Sequence, residues 1–207
     1  TYYHIITMIQ IDKKITGIIL AGGKSSRMGY DKGLASINGE NFIESICNIL
    51  ESVVGKIIII SNNSSYDYLG LPVYKDIVKE CGPLGGIYTG LNISDTQKNL
   101  VVACDMPFIS SSLLKFIINE VQYYDIGVPI CQDTINPLCA YYSKGTCKQL
   151  ESLIISHIFK MQEVIRYFHF KKIFIDSSLN FYAPNLLCNI NSPLDLHQVI
   201  NNSYYEN

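Results

Sequence analysis

The sequence lacks long apolar runs and carries little charge. No stretch approaches the roughly 18 uncharged apolar residues that a membrane-spanning helix needs, so we predict no membrane partner. Only 16% of the 207 residues are charged, and 16 basic against 18 acidic residues give a net charge of −2. A broad nucleic-acid-binding surface needs an excess of basic residues, so we predict no nucleic-acid partner. Any binding of anions must then be local.

Paired cysteines and clustered histidines are also missing. The seven cysteines are scattered and form no C-x-x-C pair, which argues against a disulfide framework and against a structural zinc site. Reduced, buried cysteines are the better interpretation, and they favour the cytoplasm. The four histidines lack the spacing of metal ligands, and there is no G-x-S-x-G nucleophile elbow. Neither a structural zinc site nor a serine-hydrolase site is therefore expected.

The length suits one α/β domain, because 207 residues can bury one core well and are few for two. Apolar runs of strand length alternate with helical periodicity. The last two predicted helices cover about residues 160–168 and residues 193–200. We predict a Rossmann-like three-layer fold with a mostly parallel central sheet over residues 15–201. Residues 1–14 carry no secretion signal that we recognise. A β-hairpin arm, an upstream start and a segment foreign to the protein stay open for them, and residues 202–207 are expected to fray.

The most informative stretch is residues 15–33, which read ITGIILAGGKSSRMGYDKG. An apolar strand ends here at Leu20, and two adjacent glycines follow it. Glycines at a strand end leave backbone N–H groups open and tolerate positive φ, and nearby cations add charge-assisted hydrogen bonds. The stretch therefore predicts a phosphate-binding loop. Its glycines are Gly22 and Gly23, and its cations are Lys24, Arg27 and Lys32.

Two better-known phosphate loops do not fit this stretch. A Walker A loop requires a glycine where Ile18 stands, which excludes a P-loop NTPase. A dinucleotide fingerprint requires G-x-G-x-x-G, but the next glycine after Gly23 is Gly29. The loop belongs to another class of nucleotide site.

Two later segments are predicted to reach the same edge of the sheet. The strand from Leu100 to Cys104 is followed by Asp105, and magnesium takes one or two carboxylates together with substrate phosphates. Asp76 precedes the glycine-rich start of a helix, where the partial positive charge of the helix favours anions. Because parallel strands end along one edge, the glycine loop and both aspartates should share one cleft. Such a cleft suits magnesium-dependent attack on a nucleoside triphosphate.

The pattern L-A-G-G-x-S-x-R-M-G-x-D-K-G, at residues 20–33, resembles the nucleotidyltransferases of the molybdenum cofactor guanylyltransferase type. Three further motifs carry the resemblance: an aspartate before G-P-L-[AG]-G-I, C-D-x-P, and N-x-N-[ST]-P near the end of the chain. The resemblance implies a magnesium-dependent enzyme. It would transfer GMP from GTP to molybdopterin and give the guanine dinucleotide cofactor and pyrophosphate.

The same resemblance implies the site residues. Catalytic roles fall to Arg27, Lys32 and Asp105, with Asp105 as the metal ligand. Nucleotide binding falls to Leu20, Ala21, Gly22, Gly23, Lys32, Asn62, Asp76, Gly82 and Asp105. Asn62 and Asn63 both match the family's asparagine after the second strand, and we assign the role to Asn62. Contact with molybdopterin falls to Asn136, Pro137, Lys160, Asn189 and Asn191. One departure concerns the pterin side, where Asn136 replaces the histidine or glutamine that is usual in the family.

Three alternatives stay open at this stage. A relative that transfers CMP to molybdopterin, or to another phosphorylated acceptor, would keep the same loop and metal aspartate. Sugar-phosphate nucleotidyltransferases fit less well, because their loops usually continue as G-T-R-L. A non-catalytic nucleotide-binding protein would not need Asp105. We also expect a monomer or weak oligomer, and proteins that deliver or receive the cofactor as partners.

Overall fold

The computed structural model describes residues 12–22, 32–37, 39–192, 194–196 and 198. The strands of these residues are β1 (Asp12–Leu20), β2 (Ser36–Ile37), β3 (Glu40–Asn41), β4 (Val54–Ile60), β5 (Val73–Tyr74), β6 (Lys98–Ala103), β7 (Ile126–Cys131), β8 (Thr134–Ile135), β9 (Cys139–Ser143) and β10 (Phe170–Phe174). The α-helices are α1 (Phe42–Glu51), α2 (Pro83–Ile93), α3 (Ser111–Glu120), α4 (Cys147–Ile155) and α5 (Met161–Val164). Short 3-10 helices lie at Lys32–Leu34, Asp67–Leu69, Lys144–Thr146 and Ile165–Tyr167.

The central sheet has eight strands in the order β10-β7-β9-β6-β1-β4-β5, with β8 paired to β7. β1 pairs in parallel with both β4 and β6, β4 with β5, and β7 with β10. β9 is antiparallel to both of its neighbours, β6 and β7. The prediction of a mostly parallel sheet is confirmed, and the antiparallel strands β8 and β9 make it mixed.

Helices cover both faces of the sheet, which gives the three predicted layers. Alternate side chains of β1 enter different cores: Ile15 and Ile19 pack with α1 and α3, whereas Ile18 and Leu20 pack with α2 and α4. All four are buried, and each buried aliphatic side chain contributes about 1.5–3 kcal/mol. Burial on both faces explains why the strand reads as a continuous apolar run.

Several predicted boundaries differ from the structure. β1 begins at Asp12, three residues inside the segment that we separated as an arm. The single helix predicted at about residues 160–168 is divided into α5, residues 161–164, and a 3-10 turn at residues 165–167. The closing helix predicted at residues 193–200 is described only at residues 194–196 and 198. Residues 202–207 lie outside the described residues.

Two expectations from composition can be compared with the fold. Among the described residues, no helix is both long and apolar enough to cross a bilayer. All seven cysteines are described and each is a free thiol. Complete burial raises the pKa of the Cys139 thiol to about 12, as expected for a cysteine that serves as a small apolar core residue.

Gly127 in β7 is the position where the core leaves least room for a side chain. A Cβ at residue 127 would lie 1.9 Å from Cγ1 of Val121, which is itself buried. We expect Gly127→Ala to lower the free energy of unfolding by about 1–3 kcal/mol, the usual range for overpacking. Urea denaturation would measure the loss. The double variant with Val121→Ala should recover part of it, and equal destabilisation of the single and double variants would contradict this steric account.

Candidate functional site

The carboxyl ends of three strands are level at one edge of the sheet. Leu20 of β1 pairs with Ile60 of β4 and with Ala103 of β6. The next residues continue the contact, since the Ala21 N–H donates to the Ile60 carbonyl at 2.9 Å. The Cys104 N–H donates to the Leu20 carbonyl at 3.0 Å. The segments after β1, β4 and β6 therefore lie side by side, as predicted for a ligand cleft.

Lys32 and Asp105, 73 residues apart in sequence, form an ion pair at this edge. The Lys32 amine lies 3.0 Å from Oδ2 of Asp105 and donates to Oδ1 of Asn191 at 2.5 Å. The pair is partly shielded from solvent, with 23% of the Lys32 and 14% of the Asp105 side chain exposed. One cation is therefore held between a carboxylate and an amide oxygen, at the point where phosphate binding was predicted.

Asp105 has an oxygen available for a cation. Its Oδ1 is buried and accepts no hydrogen bond from the described residues, which is costly for a carboxylate oxygen without a ligand. The Ile190 N–H donates to the Asp105 backbone carbonyl at 2.8 Å and helps to fix the residue. Magnesium prefers hard oxygen donors and accepts as few as one carboxylate beside substrate phosphates. The donor set at Asp105 fits that ion.

Lys32 is positioned by close packing of the following residue. A Cβ on Gly33 would lie 2.5 Å from the hydroxyl oxygen of Tyr66, a fully buried side chain. Only glycine lets the 3-10 turn at residues 32–34 pack this closely on the Tyr66 ring. This contact accounts for the glycine that follows Lys32 in the sequence.

A small core cluster attaches the Lys32 segment to the C-terminal segment. Ala35 and Phe42, which follow Lys32, pack with Ile190 of the C-terminal segment, and all three are buried. The partly buried Leu196 packs against the same cluster. Apolar contacts therefore hold together the two segments that carry Lys32 and Asn191.

Asp76 forms a second polar group further along the same edge. Its Oδ2 accepts a hydrogen bond from the Asn62 side chain at 2.7 Å, and its N–H donates to Oδ1 of Asn62 at 3.2 Å. Its other oxygen, Oδ1, is buried and has no hydrogen-bond partner among the described residues. That oxygen lies over α2, 3.6 Å from where a Cβ of Gly86 would be. Asp76 therefore has one acceptor oxygen that no described residue satisfies, at the place where the segment after β5 packs on α2.

The backbone conformation and close packing at the start of α2 explain two glycines there. Gly82 is the N-cap residue and has a φ of 56°, a conformation that favours glycine. A Cβ on Gly85 would lie 2.9 Å from the Val78 carbonyl oxygen. Both glycines therefore have backbone reasons, and they let the loop carrying Asp76 pack closely on the helix.

A cavity of about 590 Å³ opens beside Met106, the residue after Asp105. Its volume lies in the range of small-molecule sites. Lys160 adds a cation at its wall, and burial raises the pKa values of its two thiols, Cys131 and Cys188. Four residues predicted to contact the pterin line it, namely Asn136, Pro137, Lys160 and Asn189.

Five other predicted residues divide into three groups. Asn191 does not line this cavity but contacts Lys32 instead, so the structure places it nearer the Asp105 end. The Ala21 N–H is used within the sheet and is not one of the free N–H groups expected of the loop. Gly23, Lys24 and Arg27 lie outside the described residues.

Sequence reasoning missed three residues that support the site. Ser61 donates its hydroxyl to the Ala21 carbonyl at 3.0 Å, Tyr66 packs on Gly33, and Asp195 accepts from the Asn191 N–H at 2.8 Å. Only Asp195 had a local signal, because a serine followed three residues later by an acidic residue marks a helix start. The other two depend on contacts between distant segments.

Comparisons with known proteins agree with this geometry. The family model described as "MobA-like NTP transferase domain" matches residues 17–171. The chain belongs to the MobA-like NTP transferase family. A protein of Flavobacterium johnsoniae named "Probable molybdenum cofactor guanylyltransferase" is 36% identical over 186 residues, covering 89% of this chain and 96% of its own. A Clostridium perfringens protein of the same name is 39% identical over 182 residues, covering 83% and 92%.

A solved structure supports the fold of this MobA-like protein. The molybdopterin-guanine dinucleotide biosynthesis protein A of Archaeoglobus fulgidus aligns with a TM-score of 0.75 at 22% identity, covering 88% of this chain and 95% of its own. The resemblance found in the sequence motifs is confirmed, and the chain is a nucleotidyltransferase.

Proposed function

We propose that this MobA-like nucleotidyltransferase transfers GMP from GTP to molybdopterin, forming the guanine dinucleotide cofactor and pyrophosphate. The observation that carries the proposal is Asp105, which pairs with Lys32 and keeps one buried oxygen that accepts no hydrogen bond from the described residues. A site that only held a nucleotide would not need this carboxylate, since carboxylates repel phosphates unless a cation lies between them. The relatives' shared name supports the guanylyl assignment over the cytidylyl one.

The proposed reaction is an in-line displacement at phosphorus. A phosphate oxygen of molybdopterin forms a bond to the α-phosphorus of GTP, and the bond from that phosphorus to the β-phosphate oxygen breaks. Lys32 would neutralise charge on the departing pyrophosphate, while Asn191 keeps its amine in place. A Mg²⁺ ion held by Asp105 would supply further stabilisation of the phosphate charge. Arg27, outside the described residues, is proposed to add a second cation.

Asp76 is proposed to recognise the guanine base. An ionised carboxylate only accepts hydrogen bonds, and guanine presents two adjacent donors, N1–H and the N2 amino group. Cytosine, adenine and uracil each present a single donor on the corresponding edge. The buried oxygen of Asp76 and the amide of Asn62 beside it therefore complement guanine best.

The cavity of about 590 Å³ beside Met106 is proposed to hold the acceptor. Lys160 at its wall offers a cation to the acceptor's phosphate, and Asn136 and Asn189 offer polar contacts to a pterin ring. Pro137 adds an apolar surface. Because Met106 follows Asp105 directly, an acceptor phosphate in this cavity would point toward the metal and the α-phosphate.

We place the reaction in the cytoplasm, where free thiols such as the seven of this chain persist. A monomer or weak oligomer suffices, since the described chain alone supplies Lys32, Asp76, Asp105 and the cavity. Proteins that deliver or receive the cofactor remain expected partners.

Titration calorimetry with GTP, CTP, ATP and UTP in magnesium tests base recognition. We expect GTP to bind best and Asp76→Asn to weaken it by about 10- to 100-fold, the worth of a hydrogen bond to a charged group. Asp67→Asn is the matched control, an exposed aspartate in the segment between β4 and β5. A preference for CTP would identify a cytidylyltransferase, and failure of the folded protein to bind any of the four nucleotides would contradict a nucleotide site at this edge of the sheet.

A further inference from the structure

The segment after Asn189 connects a helix start to the ion pair of the site. Asp195 accepts the Asn191 N–H through Oδ2 at 2.8 Å, and its own N–H donates to the Ser192 hydroxyl at 3.2 Å. This is the reciprocal arrangement of a capping box, with the backbone bond shifted one residue outward to Asn191. Asn191, which donates this bond through its N–H, is also the residue whose side-chain oxygen accepts from Lys32.

The contacts form a continuous chain across the site. Asp195 accepts a hydrogen bond from the Asn191 N–H. The Asn191 side chain in turn accepts from the Lys32 amine at 2.5 Å, and Lys32 pairs with Asp105 at 3.0 Å. The Asn191 N–H lowers the pKa of the Asp195 carboxyl, and Ser192 and Lys32 contribute in the same direction. Asp195 is therefore ionised at neutral pH and accepts strongly.

Asn191 needs such support because it is exposed. Its neighbour Ile190 is buried and donates its N–H to the Asp105 carbonyl, so one side of the segment is fixed. On the other side, the bond that the Asn191 N–H donates to Asp195 fixes the Asn191 peptide. Without it, the amide oxygen that receives the Lys32 amine would lose its orientation.

We propose that Asp195 is a positioning residue, which sets the Lys32 amine for the triphosphate through Asn191. This inference rests on the proposed function, in which Lys32 meets the phosphates of GTP. Asp195 itself touches neither substrate nor metal in this account. Its removal should weaken interactions with the polyphosphate and leave base recognition at Asp76 unchanged.

Titration calorimetry of variants with GTP and GMP tests the proposal. We expect Asp195→Ala to weaken GTP binding by about 3- to 10-fold, the net worth of one hydrogen bond, and to change GMP binding by less. Asp195→Asn, which keeps an acceptor oxygen, should recover much of the loss. Ser192→Ala is the matched control, since it removes the hydroxyl that accepts the Asp195 N–H and keeps the bond that the Asn191 N–H donates to Asp195.

A double-mutant cycle decides whether Asp195 acts through Asn191. Asn191→Ala keeps the backbone N–H that bonds Asp195 but removes the side chain that reaches Lys32. In that background Asp195→Ala should have almost no further effect on GTP binding, because coupled residues are non-additive. An unchanged effect in the Asn191→Ala background, or an equal loss with Ser192→Ala, would overturn the proposal.

The binding cycle separates this inference from the proposed reaction. If the wild-type protein binds GTP but forms no pyrophosphate with molybdopterin, the proposed reaction fails and the cycle still decides the role of Asp195. If GTP turns over and Asp195→Ala binds GTP as the wild type does, the positioning role is wrong and the reaction stands.

Discussion

Replacing Asp105 by asparagine is expected to lower GTP turnover by about 10²- to 10⁴-fold, because metal stabilisation of phosphate charge is worth several kcal/mol and each 1.36 kcal/mol is tenfold in rate. Asparagine has nearly the same shape and keeps the backbone contact with Ile190, but it carries no charge for a cation. The buried Oδ1 would become a poor metal ligand or an amide donor. Pyrophosphate release measures turnover, and Mn²⁺ binding in the presence of GTP measures the metal directly.

The surface pair of Lys56 and Asp95 provides the control for Asp105. Their side chains lie 2.9 Å apart, close to the 3.0 Å of Lys32 and Asp105, but 65% of the Asp95 side chain is exposed against 14% for Asp105. Exposed ion pairs contribute little to stability, so Asp95→Asn should behave as the wild type. Full turnover by Asp105→Asn would show that this carboxylate does not hold the metal.

Replacing Gly33 by alanine should reduce turnover by about 10²-fold while the protein stays folded, since a displacement of about 1 Å at a reacting group has effects of this size. The added methyl group would lie 2.5 Å from the Tyr66 hydroxyl oxygen, so either the ring or the turn at residues 32–34 must move. The Tyr66 ring is fully buried, and moving the turn displaces Lys32. We expect GTP binding and turnover to fall together, with a loss of about 1–3 kcal/mol in unfolding free energy.

Two further variants test this explanation of Gly33. Tyr66→Phe in the Gly33→Ala background removes the hydroxyl and leaves ring carbons 3.1 Å from the new methyl group, so part of the activity should return. Gly145→Ala is a matched control, because Gly145 also follows a lysine in a 3-10 turn but its Cβ would lie 3.5 Å from the nearest atom. No recovery with Tyr66→Phe would mean that crowding by the hydroxyl is not the cause.

The layers of the fold and the charged end of the site could be predicted from the sequence. Asp105 follows an apolar strand directly, and parallel strands end at a common edge, so its position could be derived. The direction of β9 could not be predicted, because a buried run such as residues 139–142 is apolar in either orientation. The prediction of an uninterrupted helix at residues 160–168 was wrong for a related reason. Helical spacing of apolar residues does not show whether an α-helix continues or tightens into a 3-10 turn.

Supporting contacts were the least predictable part of the site. Tyr66 meets Gly33 and Asn191 meets Lys32 across long stretches of chain, 159 residues in the second case. Such contacts depend on how the small cluster of Ala35, Phe42 and Ile190 closes, and no local pattern encodes that. Asn191 was assigned to the pterin by motif, but its side chain is engaged by the lysine.

The reversed strand β9 has a consequence for how two substrates can meet. In an all-parallel sheet, each strand brings only the residues that follow it to the carboxyl edge. β9 runs the other way, so the residues that precede it, 136–138, arrive there, and the Leu138 carbonyl accepts from Ala103 at the end of β6 at 2.7 Å. The reversed direction of β9 therefore places the residues before this strand beside the residues that follow β6. Two separate segments of the chain, one before β9 and one after β6, can then each bind one of the two substrates at the same edge of the sheet.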